Sequence, residues 1–440
     1  MKRDRIFLLA MSAIILLFPM GSQAASGKKI KIGVIAPMKF NAGMQQWSGA
    51  RLAAEEINAA GGVKIKGIGH KIDLVKKDSN EMRSITDAVN AMESLITSNK
   101  VNFVTGGYKT EVVMSLLEII ADYKTIFITA TGTPIIAGMV AKNYDRYKYW
   151  FRGIHLNAVY FTTVKLAVLE AVVAKLRSEL GIAKPKVAIV VDKIKIGDSI
   201  VKFAKAMIPK MGAEIAGVWR PSLFSTDHTA ELAAIKAAGA HAIFMFFPGP
   251  SGTVFAKQWG ELKFPAAAVG YIIDGFSKGF WKATGGKCDY LTFWNAYGRV
   301  EITDKSIPHW DNTLNKTGDI PSLHTGTYDV IYILKNAVER AGTLESDAVV
   351  AALEKTDFHG PKGRIAFHQM GYKWPHDAIW GIGYQTYVGL QWQKGKLMTV
   401  WPTGQAVLGN KKWEGLRYKG TVDYQLPPWV IKYWEGKKGN

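Results

Sequence analysis

Short apolar runs alternate with longer amphipathic stretches along most of the chain. The run Ile30–Ala36 is almost entirely apolar and predicts a buried strand, and the residues beyond it predict a helix through Arg51–Ala60 that ends at Gly61-Gly62. His70–Lys76 has the pattern of a second strand, and Ser84–Thr97 has helical apolar spacing. Strands and helices that alternate in this way predict a parallel sheet with helices on both faces.

The next stretch contains the first candidate site. Val101–Thr105 predicts a buried strand, Gly106-Gly107 predicts a sharp turn after it, and a helix is expected to open near Thr110. Amide groups at a helix start lack partners within the helix and favour anions. A second buried strand follows, and carboxyl ends of parallel strands meet at one edge. The hydroxyl groups expected to form an anion site there belong to Thr110, Thr131 and Thr133. The same residues also fit a helix cap and ordinary loop threonines, so the pattern leaves both interpretations open.

The alternation restarts after Phe151-Arg152-Gly153, which predicts a crossover into a second lobe. The predicted helices there are Phe161–Leu180, Asp198–Met211, Thr229–Ala238 and Gly252–Leu262, and the predicted strands are Lys186–Val191, Glu214–Trp219, Ala242–Phe246 and Ala267–Tyr271. One topology therefore occurs twice, which predicts two similar α/β lobes that face each other across a cleft.

The last third of the chain is expected to return to the first lobe and then leave it again. Tyr290–Tyr297 is a candidate second crossing, Leu323–Ala341 and Glu345–Lys355 predict helices, and a hairpin is predicted from Tyr384–Trp392 and Leu397–Trp401. The predicted division is residues 25–152 plus 295–366 for one lobe and 153–294 plus 367–440 for the other.

The first 24 residues have the pattern of a signal peptide. Lys2, Arg3 and Arg5 precede the apolar run Ile6–Phe18, and Ser22-Gln23-Ala24 supplies small residues for cleavage. The apolar run is too short to span a bilayer, so we expect an exported, soluble, periplasmic protein without stable membrane insertion. Cys288 is the only cysteine, which excludes an intrachain disulfide and a cysteine-rich metal site.

Charge and motifs exclude several classes of function. The formal net charge is +20, but the lysines are scattered and no nucleic-acid motif accompanies them, so nucleic acid is not an expected partner. Sequence motifs for a phosphate loop, a zinc site or a serine nucleophile are missing, which predicts no cofactor, no metal and no enzyme activity.

Several segments together resemble the leucine/isoleucine/valine-binding proteins, which are periplasmic solute receptors of ABC-type amino-acid importers. The segments, in chain order, are Lys31–Pro37, Gly49–Gly62, Val104–Gly107, Phe151-Arg152, Val187–Lys193 with Gly197, Tyr328–Val330 and Phe358–Phe367. The resemblance implies a type I periplasmic binding fold, with two Rossmann-like lobes joined by a three-stranded hinge. It also implies capture of a small carboxylated ligand by lobe closure and delivery to a membrane permease of an ABC transporter. The alternative is a periplasmic ligand-sensing module for a signalling receptor.

The resemblance also implies where the ligand binds. It places the carboxylate at Thr110, Thr131 and Thr133, in agreement with the predicted anion site. The family commonly has a tyrosine where this chain has Ile196, and Asp274 is the one candidate for the acidic residue that would bind an ammonium group. These departures leave carboxylate binding as the expectation and make α-amino recognition an open question. Aromatic residues at predicted strand ends and first-turn loops complete the expected pocket: Trp47, Tyr108, Phe246, Phe247 and Tyr271. For Phe246 and Phe247, a place in the core is the alternative.

Overall fold

The first sheet and the helices around it form one half of the molecule. The computed structural model describes residues 27–277 and 279–437, so the predicted signal peptide lies outside the described residues. The strands of this half are β1 Ile30–Ala36, β2 Val63–Ile65, β3 Ile68–His70, β4 Ile72–Asp78, β5 Phe103–Gly106, β6 Ile126–Thr129 and β7 Trp150–Arg152. The helices between them are α1 Asn41–Ala59, α2 Ile85–Glu93, α3 Thr110–Asp122, α4 Pro134–Lys142 and α5 Tyr144–Tyr147. Five strands pair in parallel in the order β4-β1-β5-β6-β7, as the alternation predicts.

The second half repeats this arrangement. Its helices are α6 Ala158–Leu180, α7 Lys195–Met207, α8 Thr229–Ala237, α9 Ser251–Glu261 and α10 Phe280–Ala283. Its strands are β8 Lys186–Val191, β9 Glu214–Trp219, β10 Ala242–Phe247, β11 Ala267–Ile272 and β12 Thr292–Asn295. These five strands are parallel, and β10 and β11 are buried along their whole length because helices cover both faces of the sheet.

The rest of the chain returns to the first half and then to the second. The elements are α11 Ser306–Thr317, α12 Thr327–Ala341, α13 Ser346–Glu354, β13 Phe358–Gly360, β14 Gly363–Ile365, β15 Val388–Gln393, β16 Lys396–Trp401 and α14 Pro428–Gly436. Helix α12 packs on α1, whereas the β15–β16 hairpin adds antiparallel to β12. The chain therefore passes three times between the two halves.

Buried charges link the crossing segments. The guanidinium of Arg152 donates to the carboxylate of Asp377 at 2.5 Å, and both side chains are fully buried. Its two other nitrogens donate to the carbonyl groups of Thr131 and Thr133, so this residue also fixes the threonine loop. Lys362 donates its amine to the carbonyl oxygen of Ile154 at 2.8 Å. The first and third crossings are thus joined by hydrogen bonds in which at least one partner is an ionised group, and such bonds are stronger than neutral ones.

The main difference from the predicted elements is the start of α1. This helix begins at Asn41, not near Arg51, so the first loop is short. Gln45 and Gln46 are buried on its inner face, where the Gln46 amide donates to the carbonyl oxygen of Gly107 at 3.0 Å. Polar side chains on the buried face hide the apolar spacing from which the helix would be predicted. Within residues 27–277 and 279–437, no helix is both long enough and apolar enough to cross a membrane.

Candidate ligand-binding site

A cavity of about 570 Å³ lies between the two halves, at the carboxyl ends of strands from both sheets. Its volume is in the range of small-molecule pockets. Residues after β5 and β6 form one wall, and residues of α6, α7, β10 and β11 form the other. Most lining side chains are apolar or aromatic, with a few polar groups among them.

The threonine wall, which consists of Thr110, Thr131 and Thr133, is located where the sequence predicts it. Helix α3 begins at Thr110, and both Thr110 and Thr133 line the cavity. Thr131 is fully buried beside it, with its hydroxyl oxygen 3.4 Å from that of Thr110. Thr133 caps helix α4 by accepting a hydrogen bond from the amide of Ile135 at 3.2 Å. The three threonines therefore lie at or beside the starts of α3 and α4, and their role in binding remains a prediction.

A buried carboxylate holds the turn that leads into α3. Glu81 accepts hydrogen bonds from the backbone amides of Tyr108 at 3.2 Å and Lys109 at 2.6 Å. Burial raises the pKa of Glu81 to about 7. Gly106 has φ +124°, and a Cβ there would lie 2.0 Å from the carbonyl oxygen of Ile35. Only glycine fits this turn, which places Thr110 at the cavity.

The opposite wall is aromatic. Phe161, Phe246, Tyr271 and Trp294 line the cavity, and their rings stack against one another. The ring centroids of Phe161 and Trp294 are 5.6 Å apart at an interplanar angle of 12°. Packed rings of this kind provide a rigid apolar surface for a flat ligand.

Two histidines complete the deep part of the cavity. The Tyr271 hydroxyl lies 3.1 Å from Nε2 of His324, and Nδ1 of His155 lies 2.9 Å from the carbonyl oxygen of Leu156. The carbonyl can only accept, so Nδ1 of His155 carries the proton. Burial lowers the pKa of His324 to about 3 and that of His155 well below its usual value, so both rings are neutral at pH 7.

The charged side chains of the lining favour an anion. The positively charged residues that line the main cavity are Lys109, Lys195 and Lys202, and Glu111 is the one carboxylate among the described lining residues. The Lys109 amine lies 2.8 Å from the Glu111 carboxylate, so that acid is already paired. The lining therefore carries more positive than negative charge.

Asp274 faces a different space. It lines a second, smaller cavity of about 270 Å³, together with Asn41 and Tyr108. Its carboxylate accepts hydrogen bonds from the Asn41 amide and from the Thr253 hydroxyl, the latter at 2.8 Å. Protein donors thus hold the Asp274 carboxylate outside the main cavity, and its role in ligand binding stays a prediction.

Two further predicted pocket residues lie elsewhere. Trp47 was expected in a first-turn loop, but α1 already includes it, and its indole lies under the Lys76 amine, 5.5 Å away. Phe247 is fully buried and packs on Phe255, with ring centroids 4.8 Å apart. Side chains alternate along a strand, so Phe246 faces the cavity and Phe247 faces the core. By contrast, Tyr108 and Ile196 line the cavity.

Tyr108 also joins the two halves. Its hydroxyl donates to the carbonyl oxygen of Pro248, which follows β10, at 3.0 Å. Both residues border both cavities, so this hydrogen bond separates them.

We expect Tyr108→Phe to weaken ligand binding about two- to tenfold. The ring that lines the cavity is kept, and the contact between the two halves loses one neutral hydrogen bond, which contributes about 0.5–1.5 kcal/mol. Titration calorimetry on both proteins measures the change. An unchanged dissociation constant would show that this bond does not stabilise the liganded form.

Two α/β halves with a ligand-sized cavity between their sheets are the architecture of a solute-binding receptor. The chain belongs to the periplasmic binding protein family, whose model, described as "Periplasmic binding protein", matches residues 29–378. It is accordingly a binding protein and not an enzyme, and its fold is the type I periplasmic binding protein fold. The α/β fold class predicted from the sequence is confirmed.

Relatives and solved structures agree with this assignment. "Leu/Ile/Val-binding protein homolog 3" of Brucella melitensis is 24% identical over 357 residues, which cover 78% of this chain and 87% of that protein. The structure of a leucine-binding protein of Thermotoga maritima matches with a TM-score of 0.65 and 20% identity, over 84% of this chain and 97% of that one. A solute-binding protein of an ABC transporter from Rhodopseudomonas palustris, in complex with 3,4-dihydroxybenzoic acid, matches with a TM-score of 0.67 and 20% identity, over 91% and 99% of the two chains.

Proposed function

We propose that this protein is a periplasmic receptor for small hydrophobic or aromatic carboxylates, which it encloses between its lobes and delivers to the permease of an ABC importer. The single observation that carries the proposal is the cavity itself. A threonine wall at the start of α3 faces aromatic rings, and Glu111, the one carboxylate among the described lining residues, is paired with Lys109. Such a lining suits an anionic head and a flat apolar body.

Acids without an α-amino group are the ligands that this lining favours. An ammonium group in an apolar cavity needs a carboxylate partner, because an unpaired buried charge is costly. Asp274, the candidate for that role, is engaged by Asn41 and Thr253 outside the main cavity. The relative from Rhodopseudomonas palustris, which holds 3,4-dihydroxybenzoic acid, supports an aromatic acid, whereas the Brucella relative carries the name of an amino-acid receptor.

The proposed location and partner follow from the family and the N-terminus. The family is periplasmic, and residues 1–24 have the composition of a signal peptide. In this proposal, residues 25–152 with 295–366 form one lobe and residues 153–294 with 367–440 the other, and the three crossings between them act as the hinge. The sheets support this division: one sheet consists of β1 and β4–β7, and the other consists of β8–β12 and β15–β16.

The experiment compares benzoate, phenylacetate, leucine and phenylalanine as ligands of the purified protein. At a hundredfold excess over its dissociation constant, a ligand should stabilise the protein by about 2.7 kcal/mol, which a thermal melting assay detects. We expect benzoate or phenylacetate to shift the melting temperature, and Thr110→Val to weaken that acid about 10- to 150-fold. The expected weakening corresponds to the loss of one hydrogen bond to a charged group, which costs about 1.5–3 kcal/mol of binding free energy.

Two variants serve as controls. Thr163→Val removes a hydroxyl that bonds only the backbone of its own helix, at Val159, and should leave affinity unchanged. Asp274→Ala should also leave acid binding unchanged. Stabilisation by leucine or phenylalanine alone, with loss in Asp274→Ala, would overturn the proposal in favour of an amino acid.

A further inference from the structure

Three buried nitrogen atoms beside the aromatic end of the cavity have no hydrogen-bond partner among the described residues. They are Nζ of Lys165, Nε1 of Trp294 and Nδ1 of His324. The side chains are 0%, 2% and 2% exposed, respectively. Buried polar groups nearly always have hydrogen-bond partners, so three exceptions in one place need an explanation.

These nitrogens belong to one group of packed rings. Trp294 and His324 line the cavity themselves, and both contact Tyr271. The ring centroids of Trp294 and Tyr271 are 5.5 Å apart, and Nε2 of His324 lies 3.1 Å from the Tyr271 hydroxyl. The Lys165 amine lies 4.0 Å from the ring centre of Phe246 and 4.3 Å from that of Phe161, which also line the cavity. It is 5.1 Å from the ring centre of Trp294.

All three atoms are suited to donate. Indole nitrogen and lysine amine have protons to give, and indole cannot accept. When the Tyr271 hydroxyl donates to Nε2 of His324, the ring proton lies on Nδ1, and that nitrogen becomes a donor as well. The cluster therefore requires acceptors, which oxygen atoms of a ligand supply.

Among the residues that the structure describes, Lys165 has no carboxylate partner that would compensate its charge. Burial alone lowers the pKa of its amine well below the usual value, and no acidic group of the packed elements opposes this effect. The neighbours that face it from β10, β12 and its own helix are Phe246, Trp294 and Phe161, none of which ionises. Rings alone do not satisfy the hydrogen bonds of a buried amine.

We infer that the cavity binds aromatic acids with a second oxygen acceptor, such as a ring hydroxyl or a second carboxylate, which meets Lys165, Trp294 and His324. This inference rests on the proposed function, because it takes the first carboxylate to be held at Thr110. Lys165 is then the residue that selects oxygenated acids over unsubstituted ones.

The test measures affinities for benzoate, 3-hydroxybenzoate, 4-hydroxybenzoate and benzene-1,4-dicarboxylate by titration calorimetry. We expect at least one of the three oxygenated acids to bind ten times more tightly than benzoate or better. Lys165→Met should reduce that advantage to less than threefold while the benzoate affinity changes less than threefold. Lys175→Met, the same change on the outer part of α6, is the matched control and should keep the full advantage.

Each contrary result has a separate meaning. Equal affinity for benzoate and all oxygenated acids overturns the inference and leaves the proposed function standing. An equal loss of benzoate and oxygenated acids in Lys165→Met shows a structural role and also overturns it. Failure of all four acids and of phenylacetate to bind overturns the proposed function itself, whereas binding of phenylacetate alone overturns only the inference.

Discussion

Replacing Arg152 by methionine should lower the free energy of unfolding by about 3–5 kcal/mol. The guanidinium is fully buried, donates to Asp377 at 2.5 Å, and donates to the carbonyl groups of Thr131 and Thr133. Without it, the buried Asp377 carboxylate retains a hydrogen bond from the Asn157 amide at 2.8 Å but loses its cation. Leaving one buried charge uncompensated costs far more than an intact buried pair contributes.

Urea denaturation of the two proteins measures this change. The double variant Arg152→Met with Asp377→Leu is the control, because it removes both charges and should recover much of the lost stability. The loss in Arg152→Met should also diminish at acidic pH, where protonation of Asp377 removes the uncompensated charge. A loss below about 1 kcal/mol, or a double variant that is as unstable as the sum of the single ones, would contradict this account.

The same substitution is expected to affect the ligand site. Arg152 bonds the two carbonyl groups that flank the loop Thr131–Thr133, and Thr133 lines the cavity. Loss of these bonds frees the threonine wall from the crossing segment. A single side chain therefore joins the first crossing segment to the predicted carboxylate site.

Local patterns were sufficient to predict the sheets. The predicted bounds of Lys186–Val191 and Glu214–Trp219 are those of β8 and β9, because a buried strand is a short apolar run between turn residues. The repeated alternation likewise predicted parallel pairing of the strands in both halves. The start of α1 could not be predicted in this way, since its buried face carries Gln45 and Gln46, whose side chains are held by hydrogen bonds and interrupt the apolar pattern.

Site residues were predictable from the sequence where they lie at the end of a strand or the start of a helix. Thr110 and Thr133 follow from a strand end and a helix start, which the sequence marks. Phe247 shows the limit, because a strand with both faces covered gives no signal for which face looks into a cleft. Lys165 shows the same limit for a helix, since a lysine in an amphipathic stretch is ordinarily solvent-exposed. Its burial depends on the packing of α6 against β10–β12, which joins segments far apart in the sequence.

Lys165→Met should stabilise the protein that has no ligand bound, by about 1–4 kcal/mol at pH 7. Replacement of buried ionic groups by apolar side chains of similar volume has effects of this size. The amine lies within 4.0–5.1 Å of three ring centres and has no carboxylate partner among the described residues. Methionine matches its length, and the thioether packs well on aromatic rings.

The stabilisation should depend on pH with a fixed sign. Burial lowers the pKa of Lys165 in the folded protein, so between that pKa and about 10.4 the unfolded chain binds more protons than the folded one. The free energy of unfolding therefore rises with pH in this window, by at most about 1.4 kcal/mol per unit for this group. Methionine removes the contribution, so the difference between variant and wild type should shrink as the pH increases from 7 to 9.5.

Urea denaturation at several pH values between 7 and 9.5 gives the difference directly, and other titrating groups cancel between the two proteins. Lys175→Met is again the control, because its exposed pairing with Glu179 contributes only about 0.3–0.5 kcal/mol. A Lys165→Met protein that is less stable than wild type at pH 7, or a difference in unfolding free energy that stays constant with pH, would show that the buried amine does not destabilise the ligand-free protein. The shrinking difference, in contrast, would mean that the protein retains a destabilising lysine at its ligand cavity, which is expected of a residue kept for binding rather than for folding.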